Sequence, residues 1–460
     1  MAMPLDIDLT RGPIPSHFRT LAIPAAIGML FNTLYNVVDM FFAGLLSTSA
    51  QAGLSLGFQA FFILIAIGIG LGAAMSALVG NALGAGEDDR ARRFAAQGIS
   101  YGLLSAGFLA IIGYLLGPLL IQLVSEPGPY RDAGVRYFHL LLLALPGFLL
   151  MFGCNGILQA HGDAVSMQRA LIVSFFVNIA LNPLLIFGIP GVIPGIGFDG
   201  LAVSTVISQT GVMLFLFRQV LRRRRMQNMR TKDFAPRLDR YAEISIQVLP
   251  TATSFLVMLL AVFVVQFALK FFGEHAIAGY GIALRLEQLL LLPILGMTGA
   301  LLPIASQNFG AKDFDRVRQS LFFCWKVGLV LSAIAGPILW VFGRTMMGFF
   351  TDDPEVIRVG VTYLRVDGLI LPFYMALFSI NSFLQALKRP IWTVWISLYR
   401  HCFGVAFFVW IFVGLLRFDE IGVWLGIATA VVTGLGLALW MTSHVAQNEM
   451  GGLRPPDGSA

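Results

Sequence analysis

The sequence predicts an all-α integral membrane protein: twelve transmembrane helices in two parallel-repeat six-helix bundles with a central cavity. Three observations carry that expectation. Hydrophobic residues form 57% of the 460-residue chain and charged residues only 12%, whereas soluble domains carry roughly 25% charged residues. Apolar windows long enough to cross a bilayer recur along the chain. The second half also repeats the first at a fixed offset. The composition, with a mean hydropathy of +0.80, excludes a string of soluble domains and a disordered chain.

A helix needs about 20 apolar residues to cross a hydrocarbon layer of roughly 30 Å. Such windows fall at residues 20–43, 53–79, 95–121, 137–158, 167–189, 200–221, 246–270, 280–306, 321–347, 360–386, 392–415 and 421–443. Leu, Ala, Gly, Ile and Phe fill them in blocks, without the two-residue alternation of a barrel strand. The first 19 residues are polar and hold no short apolar core before a cleavage site. No cleaved signal peptide is expected, and the first span would direct insertion.

Lys and Arg set the orientation. With both termini cytoplasmic, most of the 31 basic residues fall in inside segments. Arg90, Arg92 and Arg93 follow span 2, Lys312, Arg316 and Arg318 follow span 8, and Lys388 and Arg389 follow span 10. The basic balance therefore reflects topology rather than nucleic-acid binding. The richest basic stretch, with Arg222, Arg223, Arg224 and Arg225, joins the halves. The expected organisation is an N-terminal bundle (1–220), a basic cytoplasmic linker (221–245), a C-terminal bundle (246–445) and a cytoplasmic tail (446–460). Cys154, Cys324 and Cys402 all lie in apolar runs and read as small buried hydrophobes. No cofactor is expected.

At an offset of 226 residues Pro24 falls on Pro250, Gly53 on Gly279, Gly84-Ala85 on Gly310-Ala311, Tyr137 on Tyr363 and Gln159 on Gln385. Prolines, glycines and a glutamine held in one register mark a duplication. Six spans per half give both halves the same orientation, one plan of secondary transporters.

Polar residues within spans identify candidate sites, because an intramembrane charge is costly. In span 1, Asn32, Tyr35, Asn36 and Asp39 recur at i, i+3, i+4 and i+7, one helical face. Span 5 adds Asn178 and Asn182, and span 6 adds Ser204, Thr205, Ser208 and Gln209. Asp39 reads either as an acid that changes protonation as its cavity opens to opposite sides, or as a structural acid satisfied by the two asparagines. The same oxygens of Asp39, Asn178 and Asn182 suit a sodium ion, which favours oxygen ligands. In the second half Val265, Val262 and Met258 replace Asp39, Asn36 and Asn32. Span 8 instead carries Arg285 and Glu287, and span 10 carries Arg365 and Asp367. Ion pairing within the bundle or substrate contact would account for them, with Arg400 and His401 extending the network. Pro24 and Pro250 predict kinks in spans 1 and 7, static or bendable. Met29 and other methionines suit an adaptable apolar pocket.

Taken together, these residues resemble the multidrug and toxic compound extrusion (MATE) transporters over about residues 15–445. The matching features are Tyr35-Asn36-Val37-Val38-Asp39, the Gly-Ala turns after spans 2 and 8, Arg285-Leu286-Glu287, and Gly200 to Thr205 opening span 6. The acid in span 1 points to the bacterial DinF-like branch. The resemblance implies a secondary antiporter in the bacterial inner membrane that exports amphipathic, often cationic organic compounds in exchange for H⁺ or Na⁺. It implies a cation-coupling site at Tyr35, Asp39, Asn178, Asn182 and Thr205. Candidates for the substrate cavity are Met29, Asn32, Asn36, Arg285, Glu287 and Asp367. The expected partners are small organic molecules and membrane lipids, with no nucleic acid and a monomeric chain. Where the family commonly has a second acid this chain has Asn182, which leans towards proton coupling. The span-7 glutamate of the NorM-like branch is absent, Met258 being its counterpart. A flippase for lipid-linked saccharides is the rival transporter, kept open by Arg285, Arg365 and Arg400. A membrane enzyme would need a clustered catalytic constellation, and none is present. A receptor would need a signalling domain, for which the 221–245 loop is too short.

Overall fold

The computed structural model describes residues 6–189 and 191–453. Among them are twelve helices long and apolar enough to cross a membrane. They are α1 (Ile14–Leu46), α2 (Thr48–Gly84), α3 (Asp88–Leu123), α4 (Pro129–Ala160), α5 (Val165–Phe187), α6 (Asp199–Leu221), α7 (Leu238–Phe272), α8 (Glu274–Gly310), α9 (Phe314–Gly348), α10 (Pro354–Ala386), α11 (Ile391–Leu415) and α12 (Ile421–Met450).

Most helices outrun the apolar windows, because their ends are polar and have no need of lipid. For example, α3 starts at Asp88, with Asp88 and Asp89 in its first turn, where negative charge complements the helix dipole. Only the fifth window overruns its helix. Gly188, at φ +74°, ends α5, and Gly188–Ile189 then pairs antiparallel with Ile193–Pro194. This two-stranded hairpin is the one pair of strands among the described residues. Part of the expected linker and tail is also helical, since α7 begins at Leu238 and α12 runs to Met450. Gln97 on α3 holds the rest of the linker, donating to Asp233 O at 2.6 Å and Ala235 O at 2.8 Å. The expectations for residues 1–5 and 454–460 fall outside the described residues.

The chain forms two compact units. Unit 1 takes residues up to Asp8 and Ile27–Ala252; unit 2 takes Leu9–Ala26 and the chain from Thr253 onwards. Helices α1 and α7 therefore each contribute to both units. Each changes unit two residues beyond its internal proline, after Ala26 and after Ala252, which are equivalent positions at the 226-residue offset.

The repeat also persists in packing detail. A Cβ on Gly53 would come within 2.9 Å of Tyr130 O in unit 1; one on its equivalent, Gly279, would come within 2.8 Å of Val356 O in unit 2. Residues 130 and 356 are themselves 226 apart. In each unit the second and fourth helices touch backbone to backbone at the same place, which only glycine permits.

Candidate functional site

The site in unit 1 is built on α1, α5 and α6. Tyr35 and Asp39 lie one turn apart on α1, and Asn178 and Asn182 one turn apart on α5. Gly200 opens α6; a Cβ there would meet Leu185 C at 2.8 Å. That close approach brings Ser204 and Thr205 against α5. All six polar side chains are buried, with Asp39 only 4% exposed.

Their hydrogen bonds converge on the carboxylate. Asn178 and Asn182 both donate to Asp39 Oδ1, at 2.9 and 2.8 Å, and Thr205 donates to Oδ2 at 3.5 Å. Tyr35 donates to Thr205 at 3.3 Å, and Asn178 Nδ2 also lies 3.3 Å from Ser204 Oγ. The carboxylate thus meets neutral donors, and no basic side chain among the described residues pairs with it. Each group that burial deprives of water finds a partner here, and the expected five-residue cluster forms as a unit.

The polar stripe of α1 divides between two surroundings. Tyr35 and Asp39 are buried, while Asn32 and Asn36 are exposed, with Asn36 Nδ2 bonded to Asn32 O at 3.0 Å. Met29 is half-buried and Pro24 buried. Near the site, the sequence reading passed over Tyr137, 1% exposed and within electrostatic reach of Asp39. Its signal was its match with Tyr363 in the repeat.

In unit 2 the expected arginine pairs do not form. Arg285 and Arg365 are exposed, whereas Glu287 and Asp367 are buried. Residues two apart on a helix do not share a face, so Arg285–Glu287 and Arg365–Asp367 point apart. Arg365 instead lies over the Trp340 ring, 5.9 Å from its centroid. Glu287 Oε2 accepts a 2.5 Å hydrogen bond from Tyr363. Unit 2 also holds buried arginines, Arg318 near the start of α9 and Arg400 within α11, 6% and 7% exposed.

No group of three or more His, Cys, Asp or Glu residues among the described residues has the disposition of a metal centre. At Asp39 the Asn178 and Asn182 amides present N–H groups to the carboxylate, the arrangement that suits an anion. A sodium ion held by Asp39, Asn178 and Asn182 would need both amides turned to offer oxygen.

Twelve membrane-crossing helices in a twofold repeat, with a neutral-capped buried acid on a proline-containing helix that serves both units, define a duplicated multi-pass membrane transporter. The MatE family model matches residues 24–184 and 250–410, two windows in the same 226-residue register, and the chain belongs to this family. It is a transporter of small molecules in a bacterial membrane, not an enzyme. A probable multidrug resistance protein, YoeA, of Bacillus subtilis is 26% identical over 438 residues, covering 92% of each chain. An FAD transporter of Shewanella oneidensis is 27% identical, covering 85% of this chain and 86% of its own. The fold also matches a multidrug resistance MATE family transporter of the MOP superfamily in an outward-facing conformation. That TM-score is 0.87 at 23% identity, over 97% of this chain and all of the other.

Proposed function

We propose that this protein is a secondary active antiporter that exports amphipathic, often cationic organic compounds in exchange for protons. One observation carries the reading: Asp39 is a buried carboxylate whose partners are all neutral donors, on a helix that changes unit just past Pro24. Nothing in its surroundings neutralises it permanently, so its charge is free to change during a cycle. A proton needs one lone pair and leaves the amide donors in place. Sodium would have one carboxylate for charge balance and N–H groups facing it, which weighs against the sodium alternative. Pro24 and Pro250 act as the hinges. The exposed Asn32 and Asn36 and the half-buried Met29 of α1 contribute to substrate contact, as do Glu287 and Asp367.

The Bacillus relative, a probable multidrug resistance protein by name, supports the substrate class. The Shewanella FAD transporter marks flavin nucleotides as the second class to assay. The alternative reading is a flippase for lipid-linked saccharides, to which the exposed Arg285 and Arg365 would offer positive charge. The distribution of basic residues favours cytoplasmic termini, and we take a monomer as the working unit.

The test is transport by purified protein in liposomes. An imposed proton gradient drives ethidium against its concentration gradient, and a sodium gradient alone does not. Asp39→Asn abolishes coupled export while the protein stays folded. Normal coupled export by Asp39→Asn would end the proposal.

A further inference from the structure

Unit 1 carries a second polar site, a cavity between the end of α3 and the first turns of α4. Its volume is about 490 Å³, within the roughly 300–1,000 Å³ of small-molecule sites. Pro118 and Gln122 line it from α3, and Arg131, Asp132, Arg136 and His139 line it from α4. The Tyr114 ring stacks on His139 with centroids 4.6 Å apart. At the 226-residue offset Gln122, Arg131 and Asp132 fall on Gly348, Ile357 and Arg358, so this polar set is no part of the duplicated framework.

The helix face that reaches the cavity is otherwise apolar. Ile111, Leu115, Pro118 and Gln122 follow at i, i+4, i+7 and i+11 and share one side of α3. Ile111 and Leu115 are 64% and 65% exposed, and on a membrane-crossing helix an exposed apolar stripe belongs in lipid. Gln122 comes one residue before α3 ends, so the polar cavity sits where the apolar stripe stops. A molecule lying along this flank must be apolar over its length and polar at its tip.

The charges decide what that tip carries. Arg136 is paired with Asp199 at the start of α6. Among the described residues no ion pair or side-chain hydrogen bond engages Arg131 or Asp132. The cavity therefore offers one unpaired cation beside one unpaired carboxylate. Basic pockets between membrane helices bind anionic head groups, but here Asp132 cancels the net attraction. We propose that the cavity holds the head group of a phospholipid bearing a phosphate diester and a primary ammonium, that is, phosphatidylethanolamine. Arg131 takes the phosphate, for which the planar guanidinium fork is suited. Asp132 accepts hydrogen bonds from the ammonium, which a quaternary choline has no N–H to give. The acyl chains lie along Ile111 and Leu115.

Native mass spectrometry of the purified full-length protein tests this, using phosphatidylethanolamine, phosphatidylglycerol and phosphatidylcholine with identical acyl chains. The parent should retain phosphatidylethanolamine roughly tenfold more tightly than the other two, the scale of one hydrogen bond to a charged group. Arg131→Gln should weaken that binding by a similar factor. Asp132→Asn leaves an arginine unbalanced and should turn the preference to phosphatidylglycerol. Excess inorganic phosphate should leave the lipid in place, because the acyl chains hold it too. Equal retention of the three head groups by the parent, or a parent preference for phosphatidylglycerol, would overturn the proposal. So would an Asp132→Asn protein that keeps the parent order, or displacement of the lipid by phosphate alone. If Arg131→Gln does not fold, Asp132→Asn decides the matter, since a reversed preference cannot arise from lost structure.

Discussion

Asn182 donates a 2.8 Å hydrogen bond to the same Asp39 oxygen that Asn178 reaches at 2.9 Å from one helical turn away. Two amides from one helix therefore hold one carboxylate oxygen of another. Hydrogen bonds to charged groups contribute about 1.5–3 kcal/mol, so Asn182→Ala should lower the melting temperature of the purified protein. In combination with Asp39→Asn the loss should be less than additive, because the charge that needed the donor has gone. A double-mutant cycle with strictly additive costs would show that the two side chains are not coupled.

Asn182→Asp should change which ion the site accepts. It removes a donor and sets a second carboxylate beside Asp39, so one proton no longer balances the charge. Sodium-stimulated export should appear in proteoliposomes where the parent shows none, with proton-driven export falling by tenfold or more. Unchanged ion preference would remove the charge-balance argument for protons.

The acid site of unit 1 was legible in the sequence because polar residues stand out in an apolar helix. Tyr35 and Asp39, Asn178 and Asn182, and Thr205 were each identified from spacing or resemblance, and they meet in one cluster. The pattern could not divide the face of α1, where Asn32 and Asn36 lie outside the cluster, because burial depends on which helix packs alongside. The ion pairs expected of Arg285 and Arg365 did not form because hydropathy places a residue within a span without saying which face of the helix it takes, and both arginines are exposed. Arg400 owes its position to a π-helical turn in α11, for which a uniform apolar run gives no sign. Helix ends ran past the windows for a related reason: hydropathy marks where lipid is, not where helical hydrogen bonding stops.

Pro24→Ala supplies the missing backbone N–H and removes the ring clash with the preceding turn. Folding should survive or improve, since a helix-interior proline is unfavourable by about 3 kcal/mol relative to alanine. Ethidium export should fall by tenfold or more, and Pro250→Ala should behave alike, because α1 and α7 change unit at equivalent positions. A full transport rate in both variants would mean that neither helix bends during the cycle.

His161, in the turn after α4, offers a pH prediction. Burial holds its imidazole below the ordinary histidine range, with Asp6, Arg223 and Arg225 acting on it electrostatically. Its Nδ1 bonds Ile157 O at 2.8 Å. A base with a depressed folded-state pKa binds fewer protons folded than unfolded, so its contribution to stability is present above about pH 6.5 and is lost as pH falls below it. The melting temperature should drop between pH 7 and pH 5, and His161→Gln should flatten that dependence. An equal slope in both proteins would place the pH sensitivity elsewhere.

The turn after α2 and its repeat after α8 use one backbone shape with different residues. Glu87 N bonds Ala82 O at 2.8 Å, and Asp313 N bonds Asn308 O at 3.0 Å. The left-handed position is Gly86 at φ +74° in the first turn and Lys312 at φ +60° in the second. A side chain costs about 1–2 kcal/mol in this conformation, so Lys312→Gly should raise stability and Gly86→Ala should lower it by a similar amount. No atom lies within 4 Å of a Cβ at Gly86, which makes its cost one of backbone conformation alone. Gly162, at φ +77° after α4, differs because a Cβ there would meet Ile7 Cβ at 2.6 Å. Gly162→Ala should therefore destabilise more than Gly86→Ala, and Ile7→Ala in the same chain should recover the excess. Thermal melts of the four variants in one detergent decide it: equal losses at Gly86 and Gly162 would mean that Ile7 yields at no cost.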